Sequence, residues 1–179
     1  ENPPGDLKPP LFFEDLDETF TYGQARDPWD AHYSRVIENQ LDVVHLPFVH
    51  YNSIGRGNRA LVDGPIVKWV DDERFCHFVY NRVDDGTPPR RPDEMPEPDP
   101  ERDYHLCFIY PNIWQNYISD KVRVMAAFVP VDDAHTLLYL RFYQRFMHVP
   151  VLRGLINWLA GYFNLNVHPH RANWLCCRG

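Results

Sequence analysis

Two histidines five residues apart, His45 and His50, have the residue type and spacing of a metal site. On one continuous helix their side chains would point about 140° apart, so they converge only if the helix ends between them. We expect Pro47 to end that helix and to turn the chain after His45. Asp42 precedes His45 by one helical turn, where its carboxylate can accept a hydrogen bond from one imidazole nitrogen and leave the other for a metal.

Imidazoles combined with a carboxylate and open coordination positions are the ligand set of mononuclear non-haem Fe(II) oxygenases. A purely structural role is an alternative, because a chain with nine histidines also places such pairs in its core or on its surface. A zinc hydrolase is a third interpretation, but it needs a glutamate positioned as a general base, and Glu38 is not so placed. The residues around the two histidines decide between these interpretations.

The pattern Asn39-x-x-Asp42-x-x-His45-x4-His50 closely resembles the mononuclear-iron motif of the Rieske non-haem iron oxygenases, which include aromatic-ring-hydroxylating oxygenase alpha subunits and their demethylating relatives. The resemblance implies that His45 and His50 are iron ligands and that Asp42 connects this iron to a Rieske cluster in a neighbouring subunit. It also implies that Asn39 lies next to the iron ligands without binding the metal itself. The similarity covers residues from about 29 to 164 and includes the segments 111–116, 127–131 and 139–144.

This resemblance implies a catalytic domain that uses Fe(II) and dioxygen to hydroxylate or demethylate a small aromatic or polycyclic substrate. Electrons would come from a ferredoxin or reductase through a Rieske [2Fe-2S] cluster of the intact protein, which is expected to be a homotrimer. The polar residues Asn112, Gln115 and Asn116 are candidates for the wall of the substrate cavity. The alternative function is a domain of the same architecture that binds a hydrophobic ligand without a metal.

The hydrophobic pattern predicts an α+β fold, an antiparallel sheet with helices on one face. Apolar residues at helical spacing predict helices over 33–41 and 151–163, the first capped by Asp30 or Ser34. Alternation predicts a short edge strand over 20–23 and strands over 66–70, 75–80, 104–110, 114–118, 122–130 and 136–146. The resemblance refines this to a helix-grip fold, as in START and Bet v 1 domains.

We divide the chain into an extended, proline-containing connector over 1–28, a mononuclear-iron catalytic domain over 29–164 and an atypical tail over 165–179. The 179 residues contain neither a Cys-x-His nor a Cys-x-x-His pair, which a Rieske cluster requires. The third iron ligand that the resemblance implies, a carboxylate on a C-terminal helix, is also missing, because no Asp or Glu follows Asn164. We therefore expect a truncated chain that follows a missing Rieske domain and does not turn over alone.

The net charge of −7 argues against nucleic acid and anionic membranes as partners. No apolar run is long enough for membrane insertion. The four cysteines do not form a recognisable disulfide framework, so we expect reduced thiols and a cytoplasmic location.

Overall fold

The computed structural model describes residues 11–49 and 59–147, together with Leu152, Gly154, Leu155, Trp158 and Leu159. Seven strands form one antiparallel sheet in the order β1-β7-β6-β5-β4-β3-β2. In chain order the elements are β1 (Thr21–Trp29), α1 (Tyr33–Leu41), α2 (Leu46–Val49), β2 (Leu61–Trp69), β3 (Arg74–Arg82), a 3-10 helix (Pro92–Glu94), β4 (His105–Ile109), β5 (Ile113–Ser119), β6 (Val122–Pro130) and β7 (Thr136–Gln144). None of the helices in these ranges has the length and apolar character needed to cross a bilayer.

The strands follow the predicted alternation, with two extensions. β1 continues beyond the predicted residues 20–23 to Trp29, because an edge strand tolerates the proline at position 28. β2 begins five residues before the predicted start, and its pairing with β3 shifts register between Asp63 and Ile66. Gly64 has a φ of +90° at this irregularity, a conformation that favours glycine.

One face of the sheet, here called the helix face, packs against α1 and the turn that follows it. Val36 of α1 is fully buried there, and α1 lies against β6. Val36, Ala31 and Val43 share this core with side chains from five strands: Val79, Leu106, Phe108, Trp114, Val124, Ala126, Phe128, Leu138 and Leu140. The burial of this apolar surface fixes α1 on the sheet.

The opposite face, here called the outer face, is covered by residues 11–20 of the N-terminal segment. Phe13 and Phe20 are buried against a second cluster that comprises Ile66, Cys76, Phe78, Cys107, Ile109, Met125 and Tyr143. Asp15 accepts hydrogen bonds from Gln115 Nε2 at 3.1 Å and from Arg123 Nε at 2.9 Å. The segment predicted as a connector therefore packs closely on the sheet over these residues.

Cys76 and Cys107 are direct partners in the register of β3 and β4, and they form a disulfide. The prediction that all four cysteines are reduced thiols is wrong for this pair. Their separation of 31 positions in the sequence gave no signal, since only the strand register places them opposite each other.

Candidate metal centre

Helix α1 carries the first part of the predicted iron motif. His32 is its N-cap and accepts a hydrogen bond from the backbone N–H of Ser34 through Nδ1, so neither Asp30 nor Ser34 is the cap. Asn39 lies in the last turn of α1, where its Oδ1 is 3.5 Å from Gln40 Nε2. The helix ends at Leu41, and Asp42 follows as its C-cap.

The carboxylate of Asp42 organises the turn that leads to His45. Oδ1 accepts hydrogen bonds from the backbone N–H groups of Val44 at 3.0 Å and His45 at 3.3 Å. Oδ2 lies 3.4 Å from Nδ1 of His45. The same side chain therefore shapes the backbone before His45 and faces one nitrogen of its imidazole ring.

The predicted role of Pro47 is wrong. The helix ends before Asp42, so Asp42 and His45 are not on one helical face, and the turn precedes His45. Pro47 is instead the second residue of α2, where a proline costs no hydrogen bond because the first N–H groups of a helix have no acceptor within it. The backbone carbonyl of His45 accepts hydrogen bonds from Phe48 and Val49.

The described part of the motif fits a metal ligand and its supporting carboxylate. With Nδ1 of His45 directed toward Asp42, Nε2 is the nitrogen left for a metal. The His45 side chain is 14% exposed, whereas that of Asp42 is 53% exposed and accessible to a further group. His50, the second predicted ligand, lies outside the described residues.

The helix face also presents polar atoms that have no hydrogen-bond partner among the described residues. They are buried, and they are Nδ1 of His77, Nε1 of Trp114 and Oδ1 of Asn116. His77 is opposite Leu106 in the register, and Leu106 is opposite Asn116. Trp114 precedes Asn116 by two residues on β5 and shares its face, so the side chains of His77, Trp114 and Asn116 lie on one surface. Unpaired buried polar atoms are costly, and a bound molecule with matching groups would satisfy them.

The three amides predicted for the cavity wall divide between different places. Asn116 lies on the helix face, as expected for a wall residue, but Gln115 points to the outer face and binds Asp15. Asn112 donates a hydrogen bond from Nδ2 to the carbonyl of Phe128 at 2.8 Å, which joins β6 to the start of β5. Neighbouring residues on a strand point to opposite faces, so Gln115 and Asn116 could not both line one cavity on the helix face.

Sequence analysis missed one cluster. Ligand atoms of Cys76, His105 and Cys107, all buried on the outer face, lie within 4.8 Å of one another. The spacing His105-x-Cys107 was a usable signal, because residues two apart on a strand share a face. Cys76 joins them only through the pairing of β3 with β4.

The sequence matches the family described as "Vanillate O-demethylase oxygenase C-terminal domain" over residues 29–156. The chain belongs to this family. It is thus a member of the C-terminal, catalytic-domain family of the Rieske oxygenases, as the motif predicted. No match was found among curated protein sequences.

Solved structures of Rieske oxygenases share the fold of this catalytic domain. The terminal oxygenase of carbazole 1,9a-dioxygenase from Nocardioides aromaticivorans IC177 is 14% identical, with a TM-score of 0.64 over 99% of this chain and 54% of its own. NdmA from Pseudomonas putida CBB5, a QL mutant with caffeine, is 19% identical, with a TM-score of 0.58 over 93% of this chain and 46% of its own.

The quaternary ammonium Rieske monooxygenase CntA, in complex with its substrate L-carnitine, is 12% identical, with a TM-score of 0.57 over 90% of this chain and 40% of its own. The chain therefore spans about half or less of the length of these three proteins. At these identities the likeness shows the fold, an antiparallel sheet with few helices.

Proposed function

We propose that this chain is the mononuclear-iron catalytic domain of a Rieske-type oxygenase that hydroxylates or demethylates a small aromatic or polycyclic substrate. The observation that carries the proposal is the contact between Asp42 and His45, two residues that lie within the range matched by the family. The sheet order and the position of α1 on one face support a helix-grip fold for this domain. We also propose a cytoplasmic location, a compartment in which the Cys76–Cys107 disulfide would be open to reduction.

His45 and His50 would hold the iron in this proposal. Oδ2 of Asp42 faces Nδ1 of the His45 ring at 3.4 Å, so Nε2 is the nitrogen that would bind the iron. Bound Fe(II) supplies the activation of dioxygen that the oxygenation of a substrate requires. Asn39, one helical turn before Asp42, would lie beside the ligands without binding the metal itself.

Asp42 is also suited to connect His45 by hydrogen bonds to an electron donor outside the domain. Its side chain is half exposed, so it can contact a group on another protein surface while it holds His45. We propose that this group is a ligand of a Rieske [2Fe-2S] cluster on a neighbouring subunit of a homotrimer. A ferredoxin or reductase would supply the electrons to that cluster. Because the chain has no cysteine and histidine pairs for such a cluster, we expect no turnover by the chain alone.

The unpaired polar atoms of the helix face favour a substrate that combines an aromatic surface with hydrogen-bonding groups. Asn116 Oδ1 and the indole N–H of Trp114 offer an acceptor and a donor, and His77 offers a ring nitrogen of either kind. The matched family is described by an O-demethylase, whose name implies an oxygen-bearing substrate. An oxygenated aromatic compound satisfies both observations.

Anaerobic Fe(II) binding, measured by calorimetry, tests the iron assignment. We expect one Fe(II) per chain and a loss of affinity of at least about tenfold in His45→Ala and in His50→Ala. His135→Ala is the matched control, because His135 also faces a carboxylate three residues earlier, Asp132 Oδ1 at 2.7 Å, on the exposed turn between β6 and β7. Equal Fe(II) affinity in all four proteins would contradict the assignment and favour a domain that binds its ligand without a metal.

A further inference from the structure

The cluster of Cys76, His105 and Cys107 lies on the opposite side of the sheet from the proposed iron site. Cys76 and Cys107 are 4.1 Å apart between Cα atoms on adjacent strands, and their sulfur atoms are joined. His105 precedes Cys107 by two residues on β4 and therefore shares its face. The exposed fraction is 6% for each cysteine and 5% for His105, so the three side chains are shielded from water.

His105 is held in one orientation by its neighbours. Its Nδ1 donates a hydrogen bond to the backbone carbonyl of Asp103 at 2.8 Å, since a carbonyl oxygen only accepts. The ring stacks on Tyr117 with centroids 4.5 Å apart, and Phe78 lies at 4.9 Å on the same face of the sheet. Nε2 therefore carries the lone pair, the arrangement by which a backbone carbonyl orients a metal-binding histidine.

A dithiol reductant converts this disulfide into a pair of ligands. A thiolate of the reductant attacks one sulfur, the S–S bond breaks, and a mixed disulfide forms. The second thiol of the reductant then closes its own disulfide and releases the protein sulfur. Two electrons and two protons pass to Cys76 and Cys107, and the dithiol is oxidised by the same amount.

We propose that reduction of the Cys76–Cys107 disulfide opens a buried Cu(I) site formed by the two thiolates and Nε2 of His105. Thiolate sulfur is a soft ligand that selects Cu(I) and Zn. Structural zinc sites are almost always four-coordinate, whereas the group found among the described residues offers three donors, a number that suits Cu(I) better. Binding releases the two thiol protons. Exchange with the disulfide form of the same reductant, the reverse of the steps above, passes two electrons back to it with the uptake of two protons, re-forms the Cys76–Cys107 bond and removes both thiolate ligands.

The experiment uses the full chain with Cys176→Ser and Cys177→Ser, so that Cys76 and Cys107 are its two remaining cysteines. The protein is prepared oxidised, or reduced with dithiothreitol and desalted anaerobically, and Cu(I) is titrated in competition with bicinchoninate. We expect one tightly bound Cu(I) in the reduced form and none in the oxidised form. Equal binding by both forms, or none by either, would overturn the proposal.

His105→Gln tests the third ligand, and we expect at least about tenfold weaker binding of Cu(I) by its reduced form. His135→Gln is the matched control, because His135 is an exposed histidine at the turn between β6 and β7, and it should bind as the parent does. If His105→Gln fails to fold, X-ray absorption on the reduced, copper-loaded parent decides instead. Two sulfur ligands and one nitrogen ligand support the site, and any other set contradicts it.

Discussion

His77 is a buried, titratable residue on the helix face. Its ring stacks on Phe75 with centroids 5.1 Å apart, and its Nδ1 is buried with no hydrogen-bond partner in the described part of the chain. Burial lowers the pKa of His77 below its ordinary value of 6.5. The folded protein therefore favours the neutral ring, which both donates and accepts.

This lowered pKa predicts a loss of stability in mild acid. Above about pH 6.5 the ring is neutral in both the folded and the unfolded chain, so protonation of His77 does not reduce the free energy of unfolding. As the pH falls toward the lower folded pKa, the unfolded chain takes up the proton first, and the free energy of unfolding decreases. We expect the free energy of unfolding, measured by urea denaturation, to fall less between about pH 7.5 and about pH 5.5 in His77→Gln than in the parent. An equal difference for both proteins would contradict the lowered pKa.

At the scale of elements, the turn between α1 and α2 depends on one carboxylate. Asp42 accepts two backbone N–H groups through Oδ1 and faces His45 through Oδ2. The two functions are separable by substitution, because asparagine keeps an oxygen that accepts the backbone hydrogen bonds but loses the charge.

We expect Asp42→Asn to keep the stability of the parent and to weaken Fe(II) binding by about tenfold, since its amide orients the His45 ring poorly. Asp42→Ala should in addition lose about 1 kcal/mol of unfolding free energy, because the two N–H groups lose their acceptor. Urea denaturation and calorimetry measure the two effects. Asp132→Asn, at the equivalent pair on the turn between β6 and β7, should leave the Fe(II) affinity unchanged. Identical stability in the alanine and asparagine variants would contradict the capping role.

The elements that could be predicted from sequence are those whose bounds are set by residues nearby in the chain. Strand β6 has the predicted bounds, since its apolar residues are ended by Pro130 and the Asp132-Asp133 turn. Pro47 was misassigned because a proline that ends one helix and a proline that begins another look alike in sequence. The Cys76–Cys107 bond and the direction of Gln115 depend on strand pairing, which no local pattern specifies. The contact of Asp42 with His45 was predictable because the two residues are only three positions apart.

At the scale of the whole molecule, the sheet is buried on both faces, and residues 11–20 close the second face. All five residues of β4 are buried. Phe13 packs in the outer cluster, and Asp15 pairs with Arg123, whose side chain is 4% exposed. The N-terminal segment is therefore part of the folding unit.

Substitutions in this segment should destabilise the domain without touching the iron motif. We expect Phe13→Ala to lower the free energy of unfolding by about 3–5 kcal/mol, because it opens a cavity in the outer cluster. Asp15→Ala should cost about 1–3 kcal/mol, since it removes the carboxylate that pairs with the buried guanidinium of Arg123. Phe12→Ala is the control, as Phe12 is 43% exposed and should change stability little. Equal urea midpoints for the three variants would show that the segment does not support the sheet.

The pairing of β1 with β7 has a consequence for anyone who trims this protein for expression. The family match begins at Trp29, the last residue of β1, so a gene cut to residues 29–156 would delete the edge strand and the covering segment together. The backbone of β7 would then become a free edge beside an uncovered apolar sheet, the combination that promotes aggregation. A version that begins at or before Leu11 keeps both, so the boundary that similarity reveals is not the boundary at which the domain stays monodisperse.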